Sequence, residues 1–354
     1  MLYLYLSLAF IFLLLISSLS SAENTSVFTF KFSKTTLISC PGNSRVHKTI
    51  LDEIAFILKQ KSRDSLHITE QEKINDGSLF VSLIGESAIS KTLIEKGLVD
   101  IHNIPLDKDA YELIVYNHTL YLLGNTPRGL LQAVYELQDI ISFKEKIDEG
   151  FHRKGVFVIQ KRIFHQRFDQ WPGNRSDIRY ISHLGASHCL IDHDWNGDIR
   201  HMQGFVSSNV FPKAVNTQYV LENHKKLRQL IDNCLDYGIE PMFWIVELPC
   251  QCGPWIPEDT RKQWLEKYPD EVLSDSGTYQ GKVLCFSHQD VQKYYKELLT
   301  AFFKEFPFIS VLSTISLAVS RSSMSSFSVS RILSIVISPF LKKLYRNRIH
   351  RGLL

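Results

Sequence analysis

The feature that most constrains the fold of this chain is the alternation of strand-like and helix-like segments in its second half. Short apolar runs typical of buried strands occur at residues 155–162, 185–192, 239–246 and 283–286. Amphipathic helical patterns occur at residues 177–184, 221–237 and 290–303, and Gly238 is placed to cap the second of them. Strands that alternate with helices in this way form parallel sheets. The pattern therefore predicts an α/β fold, either a (β/α)8 barrel or a doubly wound sheet.

The first half of the chain also follows α/β order and contains a hairpin. Strands are predicted at residues 26–32 and 79–84, and helices at residues 46–61 and 87–96. Two more strand-like runs, at residues 110–116 and 120–123, are separated by Asn117-His118-Thr119, which predicts a tight turn.

A helix is predicted directly after the hairpin, at residues 128–141. Thr126 is its predicted N-cap, and Pro127 suits the first helical position because the missing N–H costs nothing there. A charged segment at residues 144–154 follows and separates the two halves of the chain. We therefore predict two domains, the first a small α/β domain.

The start of the sequence indicates export. Residues 2–16 are almost continuously apolar, and Ser20 and Ala22 suit signal-peptidase cleavage. The run is shorter than the roughly 20 residues that a membrane-spanning helix needs. We predict that residues 1–22 are a cleaved signal peptide and that the mature chain is secreted, or lies in the lumen of the secretory pathway or lysosome, without membrane insertion. A membrane anchor is the alternative, because the positively charged region usual in signal peptides is missing.

Export would expose two kinds of residue to modification. Three N-x-[ST] sequons, at Asn24, Asn117 and Asn174, are predicted glycosylation sites. The six cysteines allow 15 complete disulfide pairings in an oxidising compartment. For Cys250 and Cys252, the one close pair, a disulfide to Cys285 or Cys234 is the favoured interpretation, since their spacing does not match a zinc site.

Composition and motifs exclude several functions. A formal net charge of +3 is too small to indicate nucleic-acid binding, which needs a concentrated basic face. Residues 23–150 contain no zinc-protease motif, phosphate loop or nucleotide fingerprint. We predict no cofactor and no metal.

The candidate site follows from the predicted parallel sheet. In a barrel, functional side chains cluster at the carboxyl ends of the strands. The residues predicted there are Arg162 and Arg167 after the first strand, Asp192, Asp194 and Trp195 after the second, and Glu247 after the third. Carboxylates and guanidinium groups hydrogen-bond sugar hydroxyls and an indole covers a pyranose face, so this set indicates a glycan substrate.

Each of these residues also has a structural interpretation. Glu247 could form an ion pair with one of the two arginines, and Asp192 or Asp194 could cap the helix after its strand. His193, between them, could be a buried hydrogen-bonding residue.

Several segments resemble glycoside hydrolase family 20, the β-hexosaminidases. The run from Tyr111 through Gly124-Asn-Thr-Pro-Arg-Gly to Leu137 is similar to the accessory domain that precedes the barrel in that family and in related α-glucuronidases. Residues 238–249, with Glu247 and Pro249, resemble the family's third strand, although Cys250 and Gln251 replace its Gly-His. Residues 284–291 resemble the stretch before its fourth strand, and Arg162 occupies a position similar to that of the family's substrate-contacting arginine.

The resemblance implies a catalytic pair that this sequence does not contain. In family 20 the fourth strand delivers adjacent Asp and Glu residues, of which the Glu is the general acid. From Phe306 to Leu354 there is no Asp or Glu, and the composition becomes rich in Ser. About 155 residues are left for a barrel that needs about 250. The abrupt change of composition where a fourth strand should begin indicates a frameshift, a retained intron or an alternative splice. The alternatives are a disordered Ser-rich tail or a basic amphipathic membrane-binding tail.

The expected organisation is therefore a signal peptide at 1–22, an accessory α/β domain at 23–150, a partial (β/α)8 TIM barrel at 151–310 and an aberrant tail at 311–354. The expected function is that of a glycoside hydrolase-like protein acting on hexosaminide or uronide glycans, here without its catalytic acid, for which Glu247 is the best remaining candidate. The alternatives are a non-catalytic carbohydrate-binding protein and a non-functional product.

Overall fold

A computed structural model describes residues 29–31, 36–39, 44–61, 68–69, 74, 76–143, 145–158, 163–167, 174–192, 204–214, 217–246, 258–275, 282–285 and 287–314. The chain divides into two compact units. The first comprises Met1–Pro41, Leu51–Asn103 and Ala110–Gly155, and the second comprises Gly42–Ile50, Ile104–Asp109 and Val156–Leu354.

The described residues of the first part of the chain form a mixed six-stranded sheet with three α-helices and a short 3-10 helix, Ile101–Asn103. In chain order its elements are β1 (Leu37–Ser39), α1 (Arg45–Lys61), β2 (Ile68–Thr69), β3 (Leu79–Leu83), α2 (Ala88–Glu95), β4 (Lys108–Tyr116), β5 (Thr119–Gly124), α3 (Pro127–Ser142) and β6 (His152–Val158). The strand order is β2-β1-β3-β5-β4-β6. In this order β2, β1, β3 and β5 are each parallel to the next, whereas β4 runs antiparallel to β5.

The hairpin between β4 and β5 has a tight turn of two residues, one fewer than predicted, because Thr119 is the first residue of β5 and pairs with Tyr116. Asn117 and His118 have φ angles of 48° and 59°, both in the left-handed region. Two such residues in succession match a turn whose twist fits the twist of the flanking strands. The Glu149 carboxylate holds the turn by accepting from the Asn117 amide at 2.7 Å and from the His118 amide at 3.0 Å.

The segment between β5 and α3 is fixed by close backbone packing. Asn125 pairs with Ala110 twice, because its Oδ1 accepts from the Ala110 amide at 2.7 Å and its amide donates to the Ala110 carbonyl at 3.1 Å. A Cβ on Gly129 would lie 2.5 Å from the Ala110 carbonyl oxygen, and one on Gly124 would overlap the Leu130 backbone. Any side chain at Gly124 or Gly129 would therefore collide with neighbouring backbone atoms.

Helix α3 supplies much of the core of this unit. Its Leu130, Leu131, Val134 and Leu137 are completely buried, and the helix packs on β5. On the strands Leu79, Phe80, Leu113 and Leu122 are buried as well. Since each such side chain contributes about 1.5–3 kcal/mol on burial, α3 and the central strands account for the stability of the layer.

The second part of the chain contains a parallel sheet. Its elements in order are β7 (Ile163–Arg167), α4 (Arg175–His183), β8 (His188–Asp192), α5 (Thr217–Asp236), β9 (Glu240–Val246), α6 (Glu258–Leu265), β10 (Leu273–Asp275), β11 (Lys282–Leu284), α7 (Gln289–Glu305) and β12 (Ser310–Thr314). Strands β7, β8, β9 and β12 lie side by side in that order, and every pair is parallel. The remaining pair, β10 and β11, is antiparallel.

Aromatic side chains form the core against one face of this sheet. Phe243 of β9 lies 5.0 Å from Phe302 of α7 and 5.3 Å from Phe205, measured between ring centroids. Phe306 continues the cluster at 5.0 Å from Phe302. All four rings are buried, so they anchor α7 next to the central strand of the sheet.

The structure corrects the sequence predictions at three strands. The predicted first barrel strand at residues 155–162 is wrong, because residues up to Val158 belong to β6 in the six-stranded sheet and the parallel sheet begins with β7. The strand predicted at residues 283–286 is β11, which pairs with β10 outside the parallel sheet. Residues 310–314 form β12, so this sheet extends into the segment that we predicted to be a tail.

Candidate functional site

The carboxyl edge of the four-stranded sheet is the candidate site. Arg167 is the last residue of β7, Asp192 is the last residue of β8, and the register pairs them directly. The next strands end level with each other, because Val246 of β9 pairs with Thr314 of β12. This edge therefore brings a cationic and an anionic residue type to adjacent strand ends.

Four of the predicted site residues lie outside the described residues. Asp194 and Trp195 follow β8 by two and three positions in sequence, and Glu247 directly follows the last residue of β9. Arg162 directly precedes the first residue of β7. The sequence placed Arg162 after the first strand, and that expectation depended on the strand prediction that the structure corrects.

The opposite edge of the same sheet carries a polar group that the sequence did not point to. The Ser187 hydroxyl lies 2.8 Å from Nδ1 of His188, and Nε2 of His188 lies 3.7 Å from the Glu240 carboxylate. The Glu240 amide donates to the Ser187 carbonyl at 2.9 Å. His188 and Glu240 are the first residues of β8 and β9, and Ser187 directly precedes β8, so these contacts join the amino ends of two neighbouring strands.

A second cluster that the sequence missed lies in the first unit, around the buried carboxyl group of Glu112 on β4. Oε1 of Glu112 accepts from the Asp100 amide at 3.2 Å, while Oε2 has no hydrogen-bond partner among the described residues. Nε2 of His152 lies 3.9 Å from Oε1, and Lys154 forms an ion pair with Asp100 at 2.5 Å. An acidic residue between Tyr111 and Leu113 in an otherwise apolar run was the available sequence signal.

The two carboxyl groups of this cluster have opposite pKa shifts. Burial, together with the neighbouring Asp100 side chain, raises the pKa of Glu112 to about 8. The pKa of Asp100 falls to about 2 because of the Glu112 side chain and the Lys154 ammonium group. Glu112 therefore holds a proton at neutral pH and Asp100 does not.

Two of the three sequons lie on described parts of the chain. Asn117 is exposed at the tip of the hairpin turn. Asn174 is the exposed N-cap of α4, where its Oδ1 accepts from the Asp177 amide at 2.9 Å. Asn24 lies outside the described residues.

Two further findings concern metal binding and membrane-spanning helices. Within the described ranges, no group of three or more His, Cys, Asp or Glu residues is arranged to hold a metal ion. Among the helices that the structure describes, none is both long and apolar enough to cross a membrane. The apolar leader at residues 2–16 lies outside these ranges.

The fold is similar to that of several solved glycoside hydrolases. A family 138 enzyme that targets pectin rhamnogalacturonan II aligns over 87% of this chain and 33% of its own, with 12% identity and a TM-score of 0.55. The family 20 chitobiase of Flavobacterium johnsoniae aligns over 92% of this chain and 46% of its own, with 13% identity and a TM-score of 0.51. A mutant Streptomyces plicatus β-hexosaminidase in complex with its product GlcNAc aligns over 90% and 61%, with 10% identity and a TM-score of 0.51.

The chain thus spans between about a third and three-fifths of the length of these enzymes. No protein-family model matches the sequence, and no curated protein matches it in sequence. At such low identity the likeness shows a shared fold. It confirms the coarser part of the sequence prediction, a mixed α/β structure similar to glycoside hydrolase folds.

Proposed function

We propose that this chain is a carbohydrate-active protein of the glycoside hydrolase type and that it binds a glycan at the carboxyl edge of its parallel sheet. One observation carries the proposal: Arg167 and Asp192 end neighbouring parallel strands and are paired in register. Ligands of parallel α/β sheets bind outside the carboxyl ends of the strands. A guanidinium group and a carboxylate there offer the donors and acceptors that sugar hydroxyls require.

The sheet is, in this proposal, part of a (β/α)8 barrel. Four parallel strands in sequential spatial order, with helices between them, are the arrangement with which such a barrel begins. The similarity to glycoside hydrolase folds supports this interpretation. The six-stranded sheet is then the accessory domain, with a packing role.

The residues that follow the strands complete the proposed binding surface. Asp194 and Trp195 follow β8 in the sequence, and Glu247 follows β9, and both of these strands end at the carboxyl edge of the sheet. Trp195 would cover the apolar face of a pyranose, and the two carboxylates would accept from its hydroxyls. Arg162 stays a prediction as a further substrate contact. Hexosaminide and uronide glycans are the proposed ligands.

In the family that the sequence resembles, hydrolysis depends on an Asp–Glu pair that the fourth strand delivers. A glycosidase uses one carboxyl group to protonate the leaving oxygen and a second group to stabilise or attack the developing oxocarbenium ion. No Asp or Glu follows Glu305 in the 354-residue sequence, so β12 supplies none. We therefore propose that the chain as it stands binds a glycan and does not cleave it.

Calorimetric titration with N-acetylglucosamine oligosaccharides and with glucuronic-acid-containing oligosaccharides tests the binding. We expect saturable binding of one of these ligands, weakened at least tenfold by Asp192→Asn, because the amide replaces a charge-assisted acceptor with a neutral group. Asp76→Asn, which changes an 85% exposed side chain in the other unit, is the matched control and should leave the affinity unchanged. Absence of binding to both series would refute the proposed function.

The hydrolysis of aryl N-acetylhexosaminides and aryl glucuronides tests the second part. We expect the purified chain to act no faster than a heat-denatured sample, since loss of the acid and its partner removes many orders of magnitude in rate. Robust turnover that disappears on Glu247→Gln would overturn this expectation, because it would give Glu247 the role of the acid.

A further inference from the structure

Two cysteines of the second unit lie next to each other in its core. Cys189 is the second residue of β8, and Cys234 lies in the last turn of α5. Both side chains are completely buried. Their positions are fixed by the backbone: Cys189 is paired with Phe164 of β7 and Pro241 of β9, and the Cys234 carbonyl accepts from the Ile239 amide at 2.8 Å.

The two thiol groups are in direct contact. The Cys189 side chain hydrogen-bonds to that of Cys234, and this contact together with burial raises the pKa of Cys234 well above its usual value. A thiol that stays protonated is a poor nucleophile and a poor metal ligand, so Cys234 is unsuited to catalysis in the folded protein. Both cysteines are free and buried in the structure, and the contact between their side chains brings the two sulfur atoms together inside the core.

We propose that Cys189 and Cys234 form a disulfide that joins β8 to the end of α5 when the chain folds in an oxidising compartment. The oxidant is a disulfide donor such as oxidised glutathione or an oxidised dithiol oxidoreductase. One cysteine thiolate attacks the donor disulfide and releases the first donor thiolate. The second cysteine then attacks the mixed disulfide and releases the other, so the protein loses two electrons and two protons, and the donor is reduced to two thiols. Because both sulfurs are buried in the final fold, these exchanges take place during folding.

The bond would stabilise the parallel sheet without entering the candidate site. It would close a loop of about 45 residues that contains α5, and loops of this size lose much unfolded-state entropy when cross-linked. Cys189 precedes Asp192 by three residues, which separates it from the carboxyl edge by roughly 10 Å along the strand. The proposal is therefore independent of whether the chain binds a glycan.

Peptide mapping of the full chain secreted from eukaryotic cells provides the test. The protein is denatured with iodoacetamide present and no reductant, then digested and analysed by mass spectrometry. We expect one linked peptide pair containing Cys189 and Cys234 that separates on reduction. Carboxamidomethyl groups on both residues before reduction would overturn the proposal, as would the linkage of either residue to another cysteine.

A thermal measurement tests the consequence for stability. Reductant should lower the melting temperature of the wild-type chain by roughly 5–15 °C more than that of the Cys189→Ala/Cys234→Ala double variant, which keeps any disulfide among the other four cysteines. Cys285→Ala leaves the proposed bond intact and is the matched control, and reductant should lower its melting temperature by more than that of the double variant. Equal sensitivity of the wild type and the double variant would contradict the assignment, and the peptide map decides the matter if the double variant fails to fold.

Discussion

Glu112 carries a titratable group at a fully buried position of β4. Tyr111 and Leu113 on either side of it are buried in the sheet, and one of its own carboxyl oxygens meets no partner among the described residues. Ionisation of such a group requires the removal of a charge from water, so the folded chain retains the proton far above the usual pKa. The stability of the first unit therefore depends on pH over the range in which Glu112 loses its proton.

The direction of this effect follows from the two pKa values. The folded pKa of Glu112, about 8, exceeds its ordinary value of 4.5, so the folded state binds the extra proton and loses stability as the pH rises from about 4.5 to 8. The pKa of Asp100, lowered to about 2, adds stability that is lost only as the pH falls below about 4. We expect the first unit to be most stable near pH 4–5 and to melt several degrees lower at pH 8.

Glu112→Gln tests the cause, because the neutral amide has nearly the same shape and cannot ionise. The variant should melt at the same temperature at pH 5 and pH 8, as measured by circular dichroism. Glu95→Gln, on the exposed side of α2, is the matched control and should retain the wild-type pH dependence. A wild-type melting temperature that does not change between these pH values would contradict the proposed burial of the charge.

At the scale of the element, the start of α3 shows how side chains fix a boundary. The Thr126 hydroxyl accepts from the Gly129 amide at 2.9 Å, and Pro127 occupies the first turn. We expect Thr126→Ala to reduce the free energy of unfolding by about 1 kcal/mol, because the Gly129 amide loses its partner. Urea denaturation measures the change.

Thr126→Ser is the matched variant for this helix. It keeps the hydroxyl group, so its free energy of unfolding should fall by less than half as much as that of Thr126→Ala. If the alanine and serine variants denature at the same urea concentration, the cap does not stabilise the helix.

The sequence predicted the elements in which local signals agree. The cap at Thr126, the tight turn at Asn117-His118 and the helix end at Gly238 with its φ of 68° are all confirmed, because each depends on residues within one turn of the chain. The prediction failed where pairing partners decide the outcome. Residues near 155 and 283 form strands as their apolar residues suggested, but the sheet that each strand joins depends on distant segments.

The same distinction applies to the candidate site. Counting residues to the end of a strand was sufficient to expect Asp192 at the carboxyl edge, and Asp192 is the last residue of β8 in the structure. For Arg162 the expectation failed because it depended on a strand at residues 155–162. In the structure β6 ends at Val158, and Arg162 precedes β7 in the sequence. The sequence signals an unusual acidic residue at position 112, but neither the surroundings of Glu112 nor the Cys189–Cys234 contact could be predicted, because each depends on which elements pack together.

For the molecule as a whole, the leader and the sequons predict a secreted glycoprotein. We expect chain secreted by eukaryotic cells to begin near Glu23 and to carry N-glycans at Asn117 and Asn174. Both side chains are exposed, and attachment at Nδ2 of Asn174 leaves the Oδ1 cap of α4 intact. Mass spectrometry before and after enzymatic removal of the glycans measures the occupancy.

Single substitutions assign the glycans to their sites. Asn117→Gln and Asn174→Gln should each remove one glycan, whereas Asn209→Gln, at an exposed asparagine outside any sequon, should remove none. Protein that begins at Met1 and carries no glycan would show that the chain is not exported.

The parallel register of the second unit also sets an order of folding. In the hairpin Tyr116 pairs with Thr119, three positions away, whereas the register pairs of β7 with β8 are 25 positions apart and those of β8 with β9 are 52 apart. Chain closure over longer separations costs more entropy before any contact repays it, so distant pairings form late. We therefore expect the edge that carries Arg167 and Asp192 to be among the last surfaces that the growing fold completes, and to be the one most exposed to competing associations while the chain is still being made.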